Sequence, residues 1–273
     1  MVTPAFAATR PLVLKIGGRA LEAPGAAEDL AREIAAIQGS SVIVHGGGSE
    51  VTAWCERFAI EPRFERGLRV TDAATLEVVV AVLAGLANKR LVAGLRNANV
   101  DAIGLSGVDG GTLEVEPHPD AATLGAVGAV TAVSTALLDT LLAQGAVPVL
   151  ASVSAQAGAL LNVNADDAAA ALAPALRARA LVLLSDTPGL VLAGEHVPSL
   201  DRDGLAAAIR HPDVQGGMLP KLLAARRALD AGVPRVVIGA WGGPGSLARL
   251  LSGEGAATTL TYESNVTQEA THG

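Results

Sequence analysis

With one cysteine, Cys55, in 273 residues, the chain cannot carry an internal disulfide framework, which fits a reducing compartment. Within a helical pattern that residue reads as a small buried hydrophobe. Aromatic residues make up 2% of the chain while half of it is hydrophobic, so its core must be packed from Ala, Leu and Val. Positive charge is scarce as well. The net charge is -7, and a broad nucleic-acid surface is excluded because nothing would balance phosphate repulsion. Met1 to Arg10 has neither a basic start nor a long apolar core, so no signal peptide is expected. The charge-free run Thr140 to Ala165 is broken by Gln144, Pro148, Ser152, Gln156 and Asn162, which argues against a membrane span. A cytoplasmic location follows as the default. His118, His196, His211 and His272 are isolated, no Ser-His-Asp or Cys-His arrangement is visible, and no His or Cys cluster accompanies Asp166, so no metal site is expected.

Lysine is the most telling scarcity. Of 20 basic residues only Lys15, Lys89 and Lys221 are lysine, the rest being arginine. A chain that makes its surface charge from arginine and keeps three lysines gives each a better claim to a specific task. Two of the three lie beside glycine pairs.

The pattern of what is present is βα alternation. Strands are expected at 11–16, 41–44, 101–105, 147–151, 159–161, 180–184, 236–239 and 257–262. Helices are expected at 26–37, 49–58, 72–97, 134–144, from 166, and at 201–210, 218–231 and 246–251. Residues 61–72 lack a helical period and read as a hairpin or projecting loop, and 113–130 as a hairpin region. This order predicts a three-layer α/β sandwich with a mostly parallel central sheet, helices on both faces and two lobes. The passage between lobes is placed near residue 178, giving an N-terminal lobe 1–178, a C-terminal lobe 179–262 and a disordered tail 263–273.

The organising stretch is Leu161-Asn162-Val163-Asn164-Ala165-Asp166-Asp167, where a strand hands over to a helix. Ligands of open α/β sheets collect at that edge. Two glycine-rich strand ends, Lys15-Ile16-Gly17-Gly18 and His45-Gly46-Gly47-Gly48, can converge backbone N–H groups on an anion. Neither matches G-x-x-x-x-G-K-[ST] or G-x-G-x-x-G, so a P-loop or Rossmann dinucleotide site is disfavoured. Lys221 follows Gly216-Gly217-Met218-Leu219-Pro220 in the first turn of a helix, where positive charge opposes the dipole unless a polyanion binds. Arg69 sits in an otherwise apolar loop, free either to clamp a carboxylate or to pair with Asp72. Lys89, mid-helix beside Arg90, reads as a surface or interface residue.

Taken together, Lys15 to Gly18, His45 to Gly48, Gly67 to Asp72, Asn162 to Asp166, Ser185 to Gly189 and Gly217 to Lys221 resemble the amino acid kinase family. The likeness runs in the family's order from residue 11 to 262 and is greatest to members that phosphorylate N-acetyl-L-glutamate. The resemblance implies that Gly47, Gly48, Arg69, Asn162 and Asn164 hold the acyl-amino acid. Lys15 and Lys221 would stabilise the transferring phosphoryl group, with Asp166 holding both lysines. Gly17, Gly18, Asp186, Thr187, Gly189, Leu190, Gly216, Gly217 and Met218 would meet ATP, which brings Mg²⁺. It also implies a homodimer built on the N-terminal lobe. Arginine-inhibited members carry an extra N-terminal helix; ten residues precede Pro11, so an arginine-insensitive dimer is expected. Ser49 stands where many members carry proline. Gly104 to Gly110 looks like kinases acting on carrier-protein-bound aminoadipate or glutamate, which with N-succinylglutamate are the alternative substrates. A catalytically silent regulator on the same fold is disfavoured by intact Lys15, Asp166 and Lys221.

Overall fold

Short, continuously apolar runs between helical patterns call for strands buried on both faces, and the computed structural model has them. It describes residues 10–17, 25–37 and 39–262; Gly18 and the expected tail 263–273 lie outside the described residues. The chain begins β1 (Leu12–Ile16), α1 (Ala26–Ala36), β2 (Ser41–His45), α2 (Gly48–Arg57), then the hairpin β3 (Phe64–Glu65) and β4 (Leu68–Arg69). A long helical run follows as α3 (Ala73–Val80), a π-helical turn (Ala81–Ala87) and α4 (Asn88–Asn97). Next come β5 (Ala102–Ser106), β6 (Leu113–Pro117), α5 (Ala121–Leu124), β7 (Val127–Val133), α6 (Ala136–Ala143), β8 (Val147–Ala151), β9 (Val153–Gln156), β10 (Ala159–Val163) and α7 (Ala165–Ala175). The last third holds β11 (Ala180–Ser185), β12 (Leu190–Leu192), β13 (Glu195–Val197), β14 (Ser199–Leu200), α8 (Arg202–Ile209), α9 (Met218–Asp230), β15 (Val236–Ala240), α10 (Ser246–Ser252) and β16 (Ala257–Leu260).

Eight strands form one sheet in the order β14-β16-β15-β11-β1-β2-β8-β5. Every neighbouring pair is parallel except β15 with β16. The period-two rule divides its side chains cleanly. Val13, Val42, Val44, Leu181 and Leu183 pack with Ala169 and Leu172 of α7 and Ala225 and Ala228 of α9. Leu12, Leu14, Ile16, Ile43, Val182 and Leu184 pack on the other side with Leu30 and Ile34 of α1, Leu91 and Leu95 of α4, and Leu250 of α10. Burying each such Val, Leu or Ile contributes roughly 1.5–3 kcal/mol. The expected sandwich is therefore present, and strand parity determines which residues face which helix layer.

Three features were not expected. β9 joins β10, β7 and β6 in a small closed sheet, so the region read as a simple hairpin is part of a four-stranded unit. The β12–β13 hairpin turns at Ala193 and Gly194, both at positive φ; its strands are three residues long, too short for a periodic signal. The long helical run changes to π geometry at Ala81–Ala87. Residues 73–97 are long and apolar enough to cross a membrane by length and composition. Here Val78, Val79, Val82 and Leu83 instead pack against Val51 and Cys55 of α2.

Candidate active site

β1 lies at the point where the sheet's connections reverse direction: after β1 the chain crosses to β2, after β11 to β15 on the opposite side. Such a point opens a crevice at the carboxyl ends of the strands. Lys15, in the row Val44–Lys15–Leu183, stands at that edge. Its parity matches Val13, so it points toward α7 and α9.

α7 begins there because Asn164 caps it, its Oδ1 accepting from the N–H groups of Asp166 at 2.8 Å and Asp167 at 3.1 Å. The alanine run that follows favours helix and lets it pack closely. The cap brings Asp166, only 5% exposed, against Lys15, 7% exposed. Lys15 Nζ is 2.8 Å from Asp166 Oδ1, and Lys221 Nζ, from the first turn of α9, is 3.4 Å from Oδ2. Lys221 also donates to Gly217 O at 3.3 Å. Burial pushes the Asp166 carboxyl upward, but the two ammonium groups more than reverse it and hold it below the usual carboxylate range. One buried carboxylate thus ties together two cations from distant parts of the chain.

Beside this triad lies a pocket of about 200 Å³ lined by Lys15, Gly17, Gly46 to Gly48, Val51, Phe64, Gly67 to Arg69, Val79, Leu83, Ser152 and Asn162 to Asp166. Arg69 is 8% exposed. It does not pair with Asp72, which instead caps α3 through Thr75 N–H at 2.9 Å and lies 3.5 Å from Arg63. The Arg69 guanidinium stacks 4.7 Å from the Phe64 ring centroid. Its Nη2 donates to Gly48 O and Thr52 Oγ1, both at 2.7 Å. Nη1 is buried and has no hydrogen-bond partner among the described residues. A buried guanidinium anchored through Nη2 and leaving Nη1 unpaired can donate from Nη1 to an anion such as a carboxylate. Asn162 donates to Thr71 Oγ1 at 3.1 Å. Asn164 lines the pocket, yet its Oδ1 serves α7. Gly47 approaches the helix wall so closely that a Cβ there would lie 2.8 Å from Leu83 Cδ2.

The residues assigned to ATP fall on the neighbouring strand and helix ends. Gly17 lies close to Leu184 O, 3.3 Å from where a Cβ would stand; Gly18 lies outside the described residues. After β11, Asp186 and Thr187 are exposed while Gly189 is buried at φ 115°, where a Cβ would meet Thr258 Oγ1 at 2.8 Å. Leu190 sends its side chain into the core and donates its N–H to Thr258 Oγ1 at 2.7 Å. Gly216 and Gly217 are exposed before α9, with Met218 half-buried. The tip of the β3–β4 hairpin reaches this loop: a Cβ on Gly67 would be 3.4 Å from Gly216 O. The carboxylate pocket and the start of α9 are therefore neighbours.

Sequence reasoning missed the pocket's helix wall, Val79 and Leu83, and two buried polar residues behind it, His45 and Asn88. Asn88 was detectable in principle as a polar residue directly after the apolar run 78–87. His45 was visible in its glycine motif, but which way its ring points depends on strand parity.

The model of the amino acid kinase family matches residues 10–240. The chain belongs to that family. Among its amino acid kinase relatives, the acetylglutamate kinase of Methanopyrus kandleri is 48% identical over 241 residues, covering 83% of this chain and 93% of that protein. The acetylglutamate kinase of Rubrobacter xylanophilus is 44% identical over 255 residues, covering 93% and 98%. Of solved structures, the N-acetylglutamate synthase of Neisseria gonorrhoeae with coenzyme A and N-acetyl-glutamate superposes with TM-score 0.82 at 26% identity. It is covered over 93% of this chain and 60% of that one. Carbamate kinase of Giardia lamblia bound to AMP-PNP, at 14% identity and TM-score 0.69 with 94% and 100% covered, shares the amino acid kinase fold.

Proposed function

We propose that this chain transfers the γ-phosphoryl group of ATP to the side-chain carboxylate of N-acetyl-L-glutamate, giving N-acetyl-L-glutamyl 5-phosphate and ADP in arginine biosynthesis. The observation that carries the reading is the pair of lysines, from β1 and α9, held on one buried carboxylate beside a pocket where Arg69 Nη1 is buried without a partner among the described residues. A side-chain carboxylate has a pKa near ~4.3, so at neutral pH it is already an ionised nucleophile and no general base is required. The barrier is repulsion between that carboxylate and the γ-phosphate, together with charge moving onto the leaving oxygen. Lys15 and Lys221 offset both, and Asp166 keeps them oriented. The carboxylate oxygen bonds to γ-phosphorus as the bond to the β,γ-bridging oxygen breaks, and the electron pair leaves with ADP.

Arg69 receives the α-carboxylate, and the Gly46 to Gly48 loop with Asn162 receives the acetamido group and the backbone. Among the described residues the cations lining the pocket are Lys15 and Arg69. An N-succinyl group would bring a third carboxylate without a partner, which favours the acetyl substrate. Mg²⁺ would come with the nucleotide, where it would screen the phosphate charge that Lys15 and Lys221 also face. Gly17, Asp186, Thr187, Gly189, Leu190 and Gly216 to Met218 lie on the ATP side. The lobe before residue 178 serves the acid and dimerisation, and the lobe after it the nucleotide. The assembly is a homodimer built on the lobe before residue 178. The location is cytoplasmic.

Acyl phosphate formation, trapped as the hydroxamate, tests the reading with N-acetyl-L-glutamate, N-succinyl-L-glutamate, L-glutamate and L-aspartate offered side by side. Product with the acetyl compound is expected; product with none of the acids overturns it.

A further inference from the structure

Behind the glycine loop, on the sheet face opposite Lys15, lies a polar pair that the transfer chemistry does not use. His45 ends β2 with the parity of Ile43, so its ring turns toward α4. There it meets Asn88, the first residue of α4, directly after the π-helical turn. Both are buried, at 2% and 0% exposure.

The hydrogen bonds determine the tautomer. Asn88 Nδ2 lies 2.9 Å from Val149 O and 3.4 Å from Leu105 O, while Lys89 Nζ donates to Asn88 Oδ1 at 3.0 Å. Carbonyl oxygens only accept and an ammonium only donates, so the amide orientation is settled from both sides. Asn88 Nδ2 is also 3.0 Å from His45 Nε2, which must then accept. The neutral ring's one hydrogen is left on Nδ1, 3.0 Å from Gly46 O. Room for this arrangement is built into β5: a Cβ on Gly104 would sit 2.1 Å from Asn88 Oδ1.

Gly46 and Gly47 both line the pocket. In a planar trans peptide the C=O and the following N–H point in opposite directions. A Gly46 carbonyl drawn back to His45 therefore turns the Gly47 N–H forward, and no hydrogen bond is made by that N–H among the described residues. We propose that His45, oriented by Asn88, is a positioning residue whose Nδ1–H holds the Gly46 carbonyl and so aims the Gly47 N–H at the acyl-amino acid. It acts from the sheet face opposite Lys15, through the backbone of the glycine loop. This inference rests on the reading of the glycine loop as part of the acid site.

The test separates donor geometry from packing. An Asn side chain can place its amide nitrogen where Nδ1 stands, whereas Gln places its nitrogen nearer Nε2. His45→Gln is expected to weaken calorimetric binding of N-acetyl-L-glutamate about 10- to 100-fold, the range for a lost hydrogen bond to a charged or strongly polar group. His45→Asn should recover most of it, and both should leave the KM for ATP unchanged. Asn88→Ala keeps the ring but frees Nε2, and should weaken acid binding to an intermediate degree. Nitrogen-15 NMR of the unmodified enzyme should show His45 as the Nδ1–H tautomer. Equal acid-binding losses in the Asn and Gln variants, tracking their loss of thermal stability, would mean packing alone and overturn the proposal; so would the Nε2–H tautomer. Arg69→Ala guards the underlying reading. If it too leaves acid binding intact, the acid site is misplaced; if it weakens binding while both His45 variants do not, only the positioning role falls.

Discussion

The two faces of the sheet beneath the active-site edge solve the same problem differently. On the α7–α9 face, Lys15, Asp166 and Lys221 keep three charges in contact at low exposure. On the α1–α4 face, His45 and Asn88 are buried as neutral groups, burial holding the His45 ring below its usual pKa against the opposing hydrogen bond to Gly46, with the Lys89 charge a smaller push downward. A buried charge is tolerated only when paired, and its field acts strongly in a water-poor site. That suits groups meant to stabilise a transferring phosphoryl. A neutral buried pair, tied to charge only at its exposed end where Lys89 donates to Asn88, exerts little field but constrains direction, which suits groups meant to orient a loop. Buried charge is concentrated where it acts on the reaction, and where only geometry is needed charge is kept at the surface.

The sharpest way to break this contrast is to remove a lysine. Lys221→Ala or Lys15→Ala should lower turnover by about 10²–10³-fold or more, the typical cost of a lost electrostatic donor, while circular dichroism shows the fold retained. Near-normal turnover in either would end the assignment of roles.

Asp166→Asn should come next, leaving two cations without their shared anion. Breaking a buried pair from one side costs about 3–5 kcal/mol, readable as a drop in denaturation midpoint. The pH dependence follows from the depressed Asp166 pKa. Its stabilisation is fully present above the ordinary carboxylate value of about 3.9 and is lost as pH falls through the lower folded value. The gap between wild type and Asp166→Asn should therefore close in the acid range; a gap that stays constant with pH would contradict the charge pairing.

Arg69→Lys tests the guanidinium and should raise the KM for N-acetyl-L-glutamate roughly tenfold, since one ammonium cannot at once keep the Gly48 and Thr52 anchors, the stacking on Phe64 and a free donor for the acid. The KM for ATP should hold steady, and a rise in that constant instead would place Arg69 on the nucleotide side.

Asp167 offers the smallest effect and the opposite sign. Burial, the largest influence, raises its carboxyl above the usual range despite its pairing with Arg227. Its ionised form is thus a slight liability, relieved as pH falls through the raised value. Being about a third exposed, it should change stability by no more than about 1 kcal/mol in Asp167→Asn. A large loss would show that α9 depends on this pair as well as on Lys221.

Much of this architecture could be read from local pattern. The strands of the central sheet stand out as short apolar runs, and Asn164 with the alanines after it announces the start of α7. Lys15 and Lys221 stand out because lysine is otherwise almost absent, and the loop nature of Arg69 was legible while its partner was not. The spacing of Arg69 and Asp72 suggests a pair, but Asp72 is drawn instead to the unsatisfied N–H of Thr75 at the start of α3. β9 and the β12–β13 hairpin escaped because each is too short to establish a period.

The sequence by itself determined the layers, the strand-end glycine loops and the chemical types gathered near them, because these depend on contacts within a few residues. The tertiary structure alone decided that Lys15 of β1 and Lys221 of α9 meet on one carboxylate, and that His45 turns its back on them to meet Asn88. Both outcomes follow from strand parity combined with which helix packs on which face. Those are long-range choices, made by burial across the whole sheet and by the need of each buried polar group for a partner.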